Sequence, residues 1–154
     1  MLIRSCVISA CAVIISFSIV AAQQTASTSQ APQQKGGWNI PPTAQDEKNP
    51  LGGDPNAIAA GKQLFLKTCK RCHGPGGKGD GPDADPDSMQ DMDLTPARRA
   101  ARNPDGVVFY KIFNGRKKPK MPAQKDDLTK DQIWQIVSSW LNLTAMLLRS
   151  GKLS

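Results

Sequence analysis

Apolar residues recur at helical spacing in three stretches of the chain, and no stretch shows the strict alternation of a half-buried strand. In the first stretch, Ile58, Gly61, Phe65, Cys69 and Cys72 lie at steps of three or four residues, which places them on one stripe of one helix. Asp54-Pro55 ahead of it is a helix start, an N-cap followed by proline at the first helical position. In the second, Val108, Phe109, Ile112 and Phe113 follow the similar pair Asn103-Pro104 and stop at Asn114-Gly115. The third carries Ile133, Ile136, Val137, Trp140, Leu141 and Thr144 behind Thr129 and Gln132, which are spaced for a capping box. Residues 74–93, crowded with Gly, Pro and six Asp, read as a loop. The expectation is an all-α domain over residues 54–154, with three helices joined by glycine- and proline-rich loops.

The N-terminal third has a different character. Arg4 followed by the apolar run 6–20 and by Val20-Ala21-Ala22 reads as a cleavable secretory signal over 1–22, with an uncleaved anchor as its rival. A lipoprotein reading at Cys11 is weaker, because the strongest apolar run follows that cysteine. Residues 23–37, rich in Gln, Ser, Thr, Ala and Pro, read as a disordered linker. Residues 38–53, with Trp38, Ile40, Pro41, Pro42 and Asn49-Pro50-Leu51, read as an extended arm packed on the domain.

Export changes the reading of the cysteines. Two of the four, Cys6 and Cys11, fall in the leader, so no disulfide can form without consuming the pair that remains. That pair is Cys69-Lys70-Arg71-Cys72-His73, the attachment sequence for c-type haem: both thiols bond the porphyrin edge and the adjacent imidazole ligates the iron. Two rivals stay open, a thioredoxin-like redox pair and half of a structural zinc site. The first lacks the preceding strand, and the second lacks ligands, since the chain has one His. The globular part is small and poor in aromatics, and a buried porphyrin would supply apolar surface that the composition withholds.

A sixth iron ligand is expected from Met121, in the proline-stiffened loop between the second and third helices, with Met89 and Met92 in the acidic loop as fallbacks. The Asp-x-Asp runs of that loop lack the spacing of a calcium loop. Arg98, Arg99 and Arg102 read as a solvated face, with one of them a candidate for a haem carboxylate.

These stretches taken in order resemble the class I c-type cytochromes. The similar segments are Gly61-Lys62-x-Leu64-Phe65, Cys69-x-x-Cys72-His73-Gly74, Gly79-Asp80-Gly81-Pro82, Asp93-Leu94-Thr95, Met121-Pro122 and Leu128-Thr129 through to Trp140. The resemblance implies a small helical cytochrome c-like fold around one covalent haem c, with Cys69, Cys72, His73, Pro82 and Met121 binding the cofactor. It implies that the first and last helices cross at Gly61, Phe65 and Trp140, the last of these standing where Tyr is more usual. It also implies that the Pro82 carbonyl accepts a hydrogen bond from the His73 ring.

The function expected from these observations is one-electron transfer by a periplasmic or secreted carrier with no catalytic residues, no nucleic-acid partner and no small-molecule substrate. A subunit of a larger periplasmic oxidoreductase is one alternative, and a haem-based ligand sensor is another if Met121 is not on the iron. Of the 20 Lys and Arg only Arg4 lies in the leader, which leaves 19 against 13 Asp and Glu, a net of +6. The bases Arg116, Lys117, Lys118 and Lys120 precede Met121, so the redox partner is expected to be acidic where it docks.

Overall fold

The structure is a computed structural model that describes residues 37–149, with side chains to 146. The leader at 1–22 and nearly all of the linker at 23–37 therefore lie outside the described residues. Among the described residues seven α-helices follow in order: α1 (Thr43–Asp46), α2 (Pro55–Thr68), α3 (Lys70–His73), α4 (Met89–Met92), α5 (Ala97–Ala101), α6 (Asp105–Asn114) and α7 (Lys130–Arg149). Among the described residues there are no strands, only the isolated bridges Lys78 to Asp93 and Arg116 to Met121. No described helix is long and apolar enough to cross a membrane.

The central pair is α2 against α7, and glycine makes it possible. A Cβ on Gly61 would lie 1.8 Å from the carbonyl oxygen of Gln135, so the two backbones touch where any side chain would hold them apart. One turn further along each helix, Phe65 packs on the core and Trp140 is buried. At the start of α7, Thr129 N donates to Gln132 Oε1 (2.9 Å) and Gln132 N to Thr129 Oγ1 (3.2 Å), the reciprocal bonds of a capping box. Ile133 and Val137 are fully excluded from solvent, and Phe109 of α6 stacks on Trp134 with ring centroids 4.2 Å apart. Aromatic pairs at that spacing contribute beyond the area they bury, which joins α6 to α7.

The structure departs from the sequence reading at three points in the path of the helices and the arm. The first helix does not carry both cysteines on one continuous stripe. It ends at Thr68, and Cys69 (φ −105°, ψ −27°) is the hinge to α3. Thr68 Oγ1 donates to the Leu64 carbonyl at 2.7 Å, a back-bond that bends helices. Asn103 does not cap α6 with its side chain: the helix starts at Asp105, and the Asn103 amide is buried in contacts with the Arg99 carbonyl and Lys111 Nζ.

The arm at 38–53 is not extended throughout, because it turns through α1. It lies close over the start of α6: Ile40 and Ala44 bury against Val107, and Gly106 N donates to the Glu47 carbonyl at 3.1 Å. A side chain at position 106 would collide with the Ala44 carbonyl. Asn49 is the main tether. Its backbone N–H donates to Asp105 Oδ2 (3.0 Å), its amide nitrogen to the Trp134 carbonyl (3.1 Å) and Ser138 Oγ (2.8 Å), and its oxygen accepts from Leu51 N (2.9 Å).

Candidate functional site

The bend at Cys69 delivers Cys69, Cys72 and His73 to one wall of a cavity of about 270 Å³. Burial first, and the nearby Cys72 second, push the Cys69 thiol up to about 12. A redox-active cysteine pair needs an attacking thiolate of depressed pKa, so this environment is the opposite of a thioredoxin-like site. Among the described residues no three or more His, Cys, Asp or Glu side chains gather to hold a metal ion.

His73 is oriented from behind by a backbone carbonyl, but not by the one expected. Its Nδ1 lies 2.7 Å from the oxygen of Met92. Pro82 is exposed instead, for a reason visible in the chain around it: Asp83 N donates to the Arg71 carbonyl (2.7 Å), and Asp83 Oδ2 pairs with Arg71 Nε (2.6 Å). Those bonds tie residues 81–83 to the end of α3 and turn Pro82 outward. The Met92 segment takes the place beside the ring because Gly79, at φ +75°, lets the loop run against it. A Cβ at position 79 would come within 3.0 Å of the Met89 oxygen and the Asp93 nitrogen. Since a carbonyl only accepts, Nδ1 carries the proton and Nε2 keeps its lone pair. Burial lowers the imidazole's pKa, the Met92 bond opposes that, and the charges of Arg99 and Arg116 add to the lowering. Neutral imidazole is the form that binds a metal.

A second wall comes from the loop after α6. Gly115 (φ +61°) reverses the chain, and Arg116 and Met121 then exchange backbone hydrogen bonds of 2.8 and 2.9 Å, closing a tight loop that contains a cis Lys118–Pro119 peptide. Met121 lines the cavity and is half-buried against the Phe109 and Ile112 core. Of the fallbacks, Met89 is exposed and Met92 is buried at the cavity with its backbone on the His73 ring.

Phe65, Leu94, Val108, Ile112, Ile136 and Trp140 supply apolar lining. The Trp140 indole N–H reaches the Leu94 carbonyl at 3.4 Å, the partner its substitution for a smaller ring would require. The remaining edge is cationic. Arg99, Lys111 and Arg116 all line it, with Arg116 Nη2 3.1 Å from Asp91 Oδ2. Burial, then the charges of Arg99 and Arg116, bring the Lys111 ammonium down to about 8, and burial likewise lowers Arg99. Arg98 and Arg102 are exposed, so of that basic trio only Arg99 turns inward. Arg116 is also not the rim residue expected, since its side chain is 11% exposed, whereas Lys117, Lys118 and Lys120 are exposed. Lys111 escaped the sequence reading. Its signal is weak but present: it sits three residues after Val108 and beside Ile112, on the edge of the apolar stripe that faces the cavity.

Together these features test the fit to a haem c. Two thiols, a neutral imidazole with a free Nε2 and a thioether share one apolar cavity, and desolvated cations at its edge call for carboxylates such as a porphyrin bears. Gln124 Oε1 is buried at the same cavity with no hydrogen-bond partner among the described residues, a further sign that the wall is built against something. The donor set and the linings fit the group.

No curated protein matches the chain. The family model described as cytochrome c oxidase, cbb3-type, subunit III matches residues 56–138, the stretch that runs from α2 into α7 and holds every residue of the cavity wall except Trp38 and Trp140. On the strength of that match the chain belongs to the cbb3-type cytochrome c oxidase subunit III family, a family of c-type cytochromes that bind haem c and work by haem-based electron transfer with redox protein partners.

Proposed function

We propose that this chain is an exported carrier of single electrons that holds one haem c with His73 and Met121 as its axial ligands. The observation that carries the reading is the convergence of Cys69, Cys72, His73 and Met121 on one cavity. When bound, haem supplies one-electron exchange at its iron. The protein's own residues then have four tasks. Cys69 and Cys72 would hold the porphyrin through thioether bonds. His73, fixed by Met92, and Met121, fixed by its bonds to Arg116, would fill both axial positions and leave no open place for substrate. The apolar walls would exclude water from the group. Arg99, Lys111 and Arg116 would offset the carboxylates.

The one Cys-x-x-Cys-His in the sequence supports a single haem, and the leader at 1–22 supports export. Lys117, Lys118 and Lys120, exposed beside Met121, support a partner that is acidic where it docks. The name of the matched family favours a second reading, an electron-transfer subunit within a larger oxidoreductase. Chromatography of a native extract separates the two by the size at which the chain elutes.

The deciding experiment is denaturing electrophoresis with haem staining, joined to absorption spectra of the oxidised and reduced protein. Colour that stays on the band and a weak red methionine-to-iron band in the oxidised spectrum are expected. Haem that leaves in acidic acetone would remove the covalent reading, and the absence of the red band would remove Met121 from the iron.

A further inference from the structure

We propose that Trp38 is a positioning residue of the redox site: its ring holds Lys111 and Arg116 at the cavity edge, so the N-terminal arm helps to set how strongly the site favours the reduced state. The inference rests on the His73 and Met121 haem reading given above.

Trp38 lines the cavity although it stands outside the helical domain in sequence. Its ring centroid is 4.7 Å from the Arg116 guanidinium carbon and 5.3 Å from Lys111 Nζ, both within the range in which a cation is attracted to an aromatic face. Two cations on one small edge repel each other and Arg99 besides, only partly offset by Asp91, and burial first and those charges second lower the pKa of Lys111. An indole face offers negative potential to both at once without adding a charge. It also shields them from water, so their field acts through a medium of low dielectric.

The arm is built to keep the ring there. Asn49 ties it to α6 and α7, Glu47 accepts from Gly106, and Ile40 and Ala44 bury on Val107. At its other end, Gly37 packs near the Lys118 carbonyl, in the same loop that carries Arg116 and Met121. An arm that only covered the core could stop at Ile40.

The direction of the effect follows. Positive charge near the iron stabilises the added electron, and burial of those charges strengthens the field. Without the ring, water enters the edge and the cations turn toward it, and both changes weaken the field. Removal of Trp38 therefore lowers the reduction potential.

The test uses the full holoprotein and a redox titration against mediators. Trp38→Ala should lower the equilibrium constant for electron uptake about three- to tenfold, tenfold being about 59 mV for a one-electron couple, with the absorption spectrum unchanged. Trp38→Phe should recover most of the loss. In a Lys111→Met, Arg116→Gln background the effect of Trp38→Ala should largely vanish. If Trp38→Ala does not load haem, Trp38→Leu takes its place, since it keeps apolar cover and removes the aromatic face. Because coupling is reciprocal, the charge-free background should also speed tryptic cleavage after Lys48. An unchanged potential with an intact spectrum overturns the proposal, as does an effect of equal size in the charge-free background. A parent protein without covalent colour defeats the underlying haem reading instead, and the Lys48 cleavage rates then still decide whether Trp38 and the two cations hold one another.

Discussion

Nδ1 of His73 and the carbonyl oxygen of Met92 lie 2.7 Å apart, and this one contact assigns roles to two residues at once. It frees Nε2 of the imidazole for a metal. It also sets the Met92 backbone on the His73 side of the site, while Met121 is held by a different loop, an arrangement that supports the proposal of Met121 as the iron's sixth ligand.

On the proposed ligation, Met121→Ala should lower the reduction potential and open the iron to carbon monoxide and cyanide, because a thioether bond that favours the ferrous state would be lost. Met92→Leu should do neither, since its contact with His73 is made by the backbone. Potentiometry and ligand-difference spectra check both, and a reversed outcome would move the ligand to Met92. Carbon monoxide binding by the unaltered protein would point to the sensor reading.

The potential should also fall as pH rises through the range where Lys111 loses its proton. Burial and the neighbouring Arg99 and Arg116 bring that ammonium from 10.5 to about 8, and haem carboxylates, which favour the charged form, would raise it again, so the step lies at or above pH 8. The sign is fixed because deprotonation removes a positive charge that helps the electron bind. Lys111→Met should flatten the curve in this range, and a step that survives the substitution belongs to another group.

Gly61→Ala should cost about 3 kcal/mol or more, at or above the upper end for overpacking, since the new methyl meets backbone atoms of Gln135 and Ile136 rather than a movable side chain. Denaturant unfolding measures it. A neutral result would mean that α2 and α7 slide apart freely.

Trp140→Ala should cost roughly 3 to 5 kcal/mol, the range for a large aromatic lost from a core. The same variant removes the indole N–H from the Leu94 carbonyl and widens the cavity that Trp140 lines. Thermal melts followed by haem absorbance should show both losses together, and a melt like that of the parent protein would separate Trp140 from the core.

Electron transfer to the physiological acceptor should slow as ionic strength rises, since exposed charges are screened over about 10 Å at 0.1 M salt. Lys117→Glu with Lys118→Glu should slow it further and flatten the salt dependence without altering the spectrum. Arg116 is excluded from this test because its side chain is largely buried in the site. Rates indifferent to both salt and charge would reduce the lysines to a solubility feature.

Legible from residue order alone were the features whose chemistry is local. Cys69, Cys72 and His73, close together in the chain, line one cavity, the capping pair Thr129 and Gln132 starts the last helix, and the apolar periods of three and four mark the helices. What the order of residues left open were contacts between segments far apart in the chain. The carbonyl behind His73 belongs to Met92 and not to Pro82, because bonds from Asp83 back to Arg71 turn the proline outward, and backbone acceptors look alike in any sequence. Arg99, Lys111 and Arg116 come from three separate elements, so their convergence is a product of how α6 and its loops pack. Trp38 lies in what composition alone reads as an arm, and its place beside those cations depends on Asn49 reaching 85 residues along the chain to the Trp134 carbonyl. A helix period or a capping pair is decided by neighbours within a turn, whereas a cavity's charge and its cover are decided by whichever distant groups burial brings to the same edge.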